Sequence, residues 1–377
     1  MKITSIEIKQ YMIPLDPAFH ASWDPTPRKK FGTTLVYVHT DEGITGIGSG
    51  DLMTGFAGHE HLFIGQDPFA IERHAQIIDN IDFHYGRCWP LDLALWDLMG
   101  KATGLPVYKL LGGRSDRMLA YASTGELVSP EVRAERAEAF VEQGFKAMKI
   151  RFHNQDPRKD IKVVEAVRKA VGNKLDIMVD ANQGWKMPWD VERTWDVKMA
   201  YQVAKELEQL NVVWLEEPLP SHDFEGMAAL RQKVGIRIAG GEMNREWHDF
   251  REMYRHGSLD VYQPDVALTG GITQIRKIAD MVQMGGHWFT PHSWSNGIGF
   301  LANLQLSCGL STCPYFEFPY DPPTWTPERR DFVQQEKFNV DSDGYLVLSD
   351  KPGLGFELDP EVLEKYEIKN AYIWGTD

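Results

Sequence analysis

The sequence predicts an α/β protein built on a modified TIM-type (β/α)8 barrel, with an α+β module in front of it. Three observations carry this. From about Met118 onward, eight short apolar runs alternate with amphipathic stretches. Polar residues close successive runs at intervals close to one strand–helix unit. The first hundred residues differ, with alternating strand patterns followed by a helical one.

The N-terminal runs KITSIEIKQYMIPL and TTLVYVHTDEGITGIGSG alternate as paired strands do, with Asp41-Glu42-Gly43 as a turn. HASWDPTPRKKF, between them, reads as a polar loop. PLDLALWDLMGKATGLPVYKLLGG has apolar residues at helical spacing and stops at Gly112-Gly113. The eight barrel runs are MLAYAS, KAMKIRF, LDIMVD, VVWLEE, IRIAGGE, LDVYQPD, GHWFTPH and PYFEF. Their number, and the lack of a dinucleotide glycine fingerprint, favour a barrel over a doubly wound sheet. After Pro319 the Pro-rich PYDPPTWTPERR leads to a turn-rich stretch expected to return to the first module. The expected divisions are 1–117, 118–320 and 321–377.

The chain has 377 residues, 43% hydrophobic and 25% charged, which suits a globular protein with a large core. A net charge of −14 argues against nucleic-acid or anionic-membrane partners while allowing a local basic pocket for a small anion. No apolar run reaches the roughly 18 residues of a membrane span or resembles a signal peptide, so a soluble cytoplasmic protein is expected. Cys88, Cys308 and Cys313 have no CxxC spacing and suggest neither disulfides nor a thiolate metal site.

The stretch KAMKIRFH places Met148, Ile150 and Phe152 on one strand face and Lys149, Arg151 and His153 on the other. Taken alone, it reads as a strand with its basic face in water. The downstream runs reverse that reading. They end near Asp180, Glu216, Glu242, Asp265, His292 and Glu317, at gaps from Lys149 of 31, 36, 26, 23, 27 and 25 residues. All would fall on the C-terminal rim, where such barrels keep their active sites. Five clustered carboxylates need counter-charge, and all-oxygen ligands on consecutive strands suit Mg²⁺, held by Asp180, Glu216 and Glu242.

With VDANQGW, WLEEP, AGGE, QPD and PHSW in that order, the chain resembles the enolase superfamily, in its mandelate racemase-like subgroup, over nearly its whole length. The resemblance implies that Asp180, Glu216 and Glu242 bind Mg²⁺ and that His292 with Asp265 forms the acid/base dyad. It also implies that residues 1–117 form a capping domain completed by the C-terminal segment. The shared reaction is removal of a proton α to a carboxylate to give an enediolate. In this subgroup the second strand typically ends Lys-x-Lys, the second lysine acting as a base; here it reads Lys149-Ile150-Arg151. Arginine stays protonated, so Arg151 suits gripping or stabilising an anion, and a one-base reaction is expected. Dehydration of a sugar acid is the leading expectation. Racemisation, epimerisation or cycloisomerisation is the alternative, and a noncatalytic binding barrel is a third reading.

Further expectations concern individual residues. Asn182 touches the substrate α-hydroxyl or caps structure. Glu317, if protonated, hydrogen-bonds a substrate carboxylate oxygen, or it pairs with Lys149. His20 and Trp23, with Arg28, lie in a loop that closes over substrate in relatives. Glu217 is expected to face out or brace the barrel, and His153 to belong to a loop. Ser49 stands where many relatives carry glutamate. The segment from Lys186 to Ala200, with Trp189 and Trp195, forms pocket wall or subunit contact. The expected partners are a small hydroxy carboxylate and further copies of the chain, as a homo-oligomer.

Overall fold

The computed structural model describes residues 1–50, 52–187, 190 and 193–369. Strands β1 (Ile3–Phe19), β2 (Arg28–Thr40) and β3 (Thr45–Gly50) form an antiparallel sheet in the order β1-β2-β3. Gly43 supplies the positive φ of 75° in the turn between β2 and β3. Arg28–Phe31, read from sequence as loop, is already strand. The helix Trp89–Thr103 packs so closely on β3 that a Cβ at Gly48 would lie 2.0 Å from the Pro90 carbonyl oxygen. Val36 and Val38 of β2 share a core with Leu91, Leu95 and Leu98 of this helix. A further helix, Ile71–Tyr85, had not been read from the sequence.

All eight expected barrel runs form strands: β4 (Arg117–Ser123), β5 (Ala147–Arg151), β6 (Asp176–Asp180), β7 (Val212–Glu216), β8 (Arg237–Gly240), β9 (Val261–Tyr262), β10 (Trp288–Phe289) and β11 (Tyr315–Pro319). Their pairings are parallel, in the order β11-β4-β5-β6-β7-β8-β9-β10. Across the remaining seam, Cys313 N–H donates to the Phe289 carbonyl at 3.3 Å and the Thr290 hydroxyl to that of Tyr315 at 2.8 Å. Connecting helices are capped by side chains; Ser129, Asp156, Asp196, Asp223 and Asn296 each accept backbone N–H bonds from a first turn.

Period-2 geometry sorts the strand residues. Tyr121, Ala147, Met178, Trp214 and Ala239 form one apolar cluster within the barrel, while Met148, Ile150 and Phe152 join the larger core. Lys149 and Arg151 therefore share the inward face with Ala147, and neither reaches bulk water; Lys149 is fully buried. The C-terminal segment touches both parts of the molecule, and Trp325 packs on Phe19 and Phe31 of the first sheet at ring-centroid distances of 5.1 and 4.9 Å. Strand β12 (Tyr345–Val347) pairs antiparallel with β4, and Ile368 N–H then donates to the Gln10 carbonyl of β1 at 2.8 Å.

Two buried side chains tie the N-terminal module to the barrel helix Gly271–Met284. The Thr273 hydroxyl donates to Asp92 at 2.6 Å, and the Trp96 indole donates to that hydroxyl at 2.8 Å. No helix among the described residues is long and apolar enough to cross a membrane. The three cysteines are buried and unpaired with one another.

Candidate active site

Lys149 and Arg151 on β5, Asp180 at the end of β6, Glu216 at the end of β7 and Glu317 on β11 converge inside one rim of the barrel. Glu242, Asp265 and His292 lie just past the ends of β8, β9 and β10, because those strands are short. Asp180, Glu216 and Glu242 are buried and can each bring an oxygen within 4.8 Å of the others. Glu242 Oε2 has no hydrogen-bond partner. Burial, with the neighbouring acids, pushes the Glu216 carboxyl up to about 8 even though Lys149 opposes the shift. Such a donor set fits a hard divalent cation, which would relieve both the crowding and the unpartnered oxygen.

Lys149 Nζ lies 2.6 Å from Glu216 Oε1 and 2.7 Å from Glu317 Oε1. Burial works to lower the pKa of its ammonium, but these carboxylates outweigh it and hold the pKa above the usual lysine value. Glu317 also accepts from the Ser123 hydroxyl and the Ser293 N–H, both at 2.7 Å. Against the upward push of burial, Lys149 holds its carboxyl down to about 2. Glu317 is therefore an ionised partner of Lys149, and the protonated form weighed from sequence is disfavoured.

Arg151 Nη1 donates to Asp180 Oδ2 at 2.6 Å and to Asn182 Oδ1 at 2.8 Å. Its guanidinium carbon lies 4.7 Å from the Trp23 ring centroid and 5.5 Å from that of Trp294. Two indoles thus flank a fixed cation. Trp23 reaches this place because Ser22 N–H donates to the Gly125 carbonyl at 2.8 Å, which holds the β1–β2 loop against the barrel. Asn182, at a φ of 49°, also donates to the Phe152 carbonyl at 3.1 Å, so its amide bridges the ends of β5 and β6.

His292 Nδ1 is 2.9 Å from Asp265 Oδ2, and its Nε2 is 3.6 Å from Glu242 Oε2. Asp265 is held in turn by the Asn303 amide at 3.0 Å and the Ala267 N–H at 2.8 Å. Burial lowers the imidazole pKa, but Glu242, Glu317 and Asp265 outweigh it, leaving the ring pushed up to about 9. A pocket of about 520 Å³ opens over Arg151, Glu242 and His292, with Trp23, Trp294 and Trp325 in its wall.

Several sequence expectations need correction. His20 is exposed and does not line this pocket, because strand alternation sends Phe19 inward and His20 outward. Glu217 does not face out. The chain turns at Glu217, with φ 44°, and buries a carboxylate against Gly184 with neither oxygen partnered. Burial, then Glu242 and Asp180, raise its pKa well above the carboxylate range. His153 stays in a loop, 3.6 Å from Asp190. Arg28 pairs with Asp24, and Ser49 is buried against Thr33 at 2.7 Å. Lys186 and Met187 line the pocket, and Trp195 packs on the core, whereas Trp189 lies outside the described residues.

Other contacts had escaped the sequence reading. The Gln263 amide and Trp214 indole donate to Glu216 Oε2 at 2.9 and 3.1 Å. Both sit in the motifs QPD and WLEEP, but spacing alone did not reveal their contacts. Asn303, in a buried helix, carried no signal at all.

The Enolase C-terminal domain-like family model matches residues 132–362, and the mandelate racemase/muconate lactonizing enzyme N-terminal domain model matches residues 8–112. The chain therefore belongs to the enolase superfamily, in its mandelate racemase-like subgroup, and is an enzyme of that superfamily. It is 31% identical over 283 residues to arabinonate dehydratase of Saccharolobus solfataricus, covering 74% of this chain and 72% of that one. It is 28% identical to D-galactarolactone cycloisomerase of Agrobacterium fabrum, over 98% of this chain and 99% of that one. A solved racemase from Streptomyces coelicolor with bound magnesium superposes with a TM-score of 0.82, at 27% identity, over 97% of this chain and all of that one.

Proposed function

We propose that the protein is a Mg²⁺-dependent sugar-acid dehydratase that removes the proton α to a carboxylate and eliminates the β-hydroxyl as water. The observation that carries this reading is Arg151 in the second-strand position, paired with Asp180 at 2.6 Å. Across the pocket floor from His292 it supplies a cation that does not accept protons, so a reaction with one base is favoured.

Asp180, Glu216 and Glu242 would hold the ion, which when bound supplies positive charge to offset the negative charge growing on the substrate carboxylate. Lys149 adds a second fixed positive charge on that carboxylate's side, and Glu317 keeps Lys149 in place. With the charge of Glu242, the largest of those that raise its pKa, taken up in holding the cation, His292 would be neutral and would take the α-proton at Nε2 while Asp265 orients the ring through Nδ1 and supports its charged form. The same imidazolium then donates its proton to the departing hydroxyl, so the proton removed leaves with the water. Arg151, packed against the Trp23 and Trp294 indoles, stabilises negative charge on the substrate without exchanging a proton.

A second reading is cycloisomerisation, which also needs one base; the full-length alignment with a cycloisomerase favours it. The deciding experiment incubates the protein with Mg²⁺ and a panel of aldonates, aldarates and sugar-acid lactones. Formation of a 2-oxo acid identifies the dehydratase. A ring-opened or ring-closed isomer of unchanged composition identifies the cycloisomerase.

A further inference from the structure

Asp180, Glu216 and Glu242 are alike as oxygen donors but differ in how they are held. A carboxylate offers about four lone-pair sites, two on each oxygen. At Glu216 three are taken. Lys149 Nζ donates to Oε1 at 2.6 Å, while the Gln263 amide and the Trp214 indole both donate to Oε2, at 2.9 and 3.1 Å. The site that remains is on Oε1. Asp180 keeps one on each oxygen, since Arg151 donates to Oδ2 and the Asn182 N–H to Oδ1, with Lys149 farther off at 3.6 Å. Glu242 Oε2 has no partner.

Neither donor on Glu216 Oε2 is free to turn away. Trp214 points into the barrel from β7, is fully buried, and meets the Tyr121 ring edge to face at a centroid distance of 5.4 Å. Gln263 directly follows β9, where its backbone N–H donates to the Gly240 carbonyl at 2.9 Å. Its side chain is buried and its amide oxygen has no partner, so the bond to Glu216 is what orients the amide.

We infer that Trp214 and Gln263 set which cation the site accepts, by restricting Glu216 to one ligand atom. This rests on Asp180, Glu216 and Glu242 being the ligands, as in the reading above. Mg²⁺ takes about six ligands in a small octahedron, for which one oxygen per carboxylate suffices, whereas Ca²⁺ takes roughly six to eight and gains from carboxylates that bind through both oxygens. With two N–H groups on Oε2, Glu216 has no second oxygen to give. The site therefore favours Mg²⁺ over Ca²⁺ through residues that act on a ligand and not on the ion.

The test is calorimetric titration with MgCl₂ and, separately, with CaCl₂, on the parent, Trp214→Phe, Gln263→Met and the double variant, without turnover. Methionine keeps the length of Gln263 and removes the donor, so the outcome does not depend on Trp214→Phe folding. The parent should bind Mg²⁺ at least about tenfold more tightly than Ca²⁺. Each single variant should lower that ratio at least about threefold, and the double variant at least about tenfold, as Oε2 becomes available to the larger ion. A parent that binds the two ions equally, or a ratio that stays within about twofold of the parent's in Gln263→Met, would overturn the inference. So would equal losses of affinity for both ions, which would mark the two residues as supports of the fold alone. A parent that binds neither ion would refute the cation site itself, a failure separate from an unchanged ratio, and the inference with it.

Discussion

Arg151 donates to Asp180 at 2.6 Å, so the cation at the end of the second barrel strand is held by the acid at the end of the third. Burial works to lower the guanidinium's pKa, but Asp180 and the other rim acids raise it above even the usual arginine value. A proton acceptor cannot arise there. What the position offers is fixed charge.

Arg151→Met is expected to cut turnover by roughly 10²–10³-fold, the usual consequence of losing a preorganised charge. Arg151→Lys restores a charge that can titrate. In D₂O the parent should exchange the C2 proton of one substrate epimer, and the lysine variant should begin to exchange the other. Exchange of both epimers by the parent would defeat the one-base mechanism and promote an epimerase.

His292→Asn should abolish both product formation and C2 exchange, a loss of at least about 10²–10⁴-fold for a general base. Asparagine keeps a hydrogen-bonding group but accepts no proton near neutrality. Surviving exchange without product would assign His292 to the acid step alone and direct attention to Lys149.

Chelation should remove activity, and Mg²⁺ should restore it. Glu216→Gln keeps the shape of the ligand while losing its charge, and should weaken Mg²⁺ binding by at least about tenfold, since ligand charge sets affinity for hard cations. Calorimetric titration with Mg²⁺ checks this independently of turnover. Unchanged affinity would move the ligand role to another acid, with the unpartnered Glu217 first in line.

Asp92 joins the N-terminal module to the barrel through Thr273, and burial raises its carboxyl from 3.8 to about 6. Between those values the folded protein holds a proton that the unfolded chain has released, so this group's contribution to stability falls as pH rises. Relative to Asp92→Asn, the parent should gain up to about 3 kcal/mol of unfolding free energy as pH drops from 7 to 4. Urea unfolding of both proteins at the two pH values measures it. A constant difference would show that Asp92 titrates normally.

The sequence by itself determined the order of the eight strands and which charged residues gather at the rim. Both are written in local periods: inward residues recur every second position along a strand, and rim residues recur once per strand–helix unit. Lys149, Asp180, Glu216, Glu242, Asp265, His292 and Glu317 were therefore legible before any coordinate. The tertiary structure decided what spacing cannot carry. Strand alternation ceases to apply where the chain leaves the sheet, so of the two expectations for Glu217, facing out or bracing the barrel, the turn there removed the first by burying the carboxylate. Phe19 took the inward place beside His20, Trp23 came to stack on Arg151, and Asn303 reached Asp265 from 38 residues away. Each of these depends on which distant segment occupies the facing space, and that is settled by packing of the whole chain.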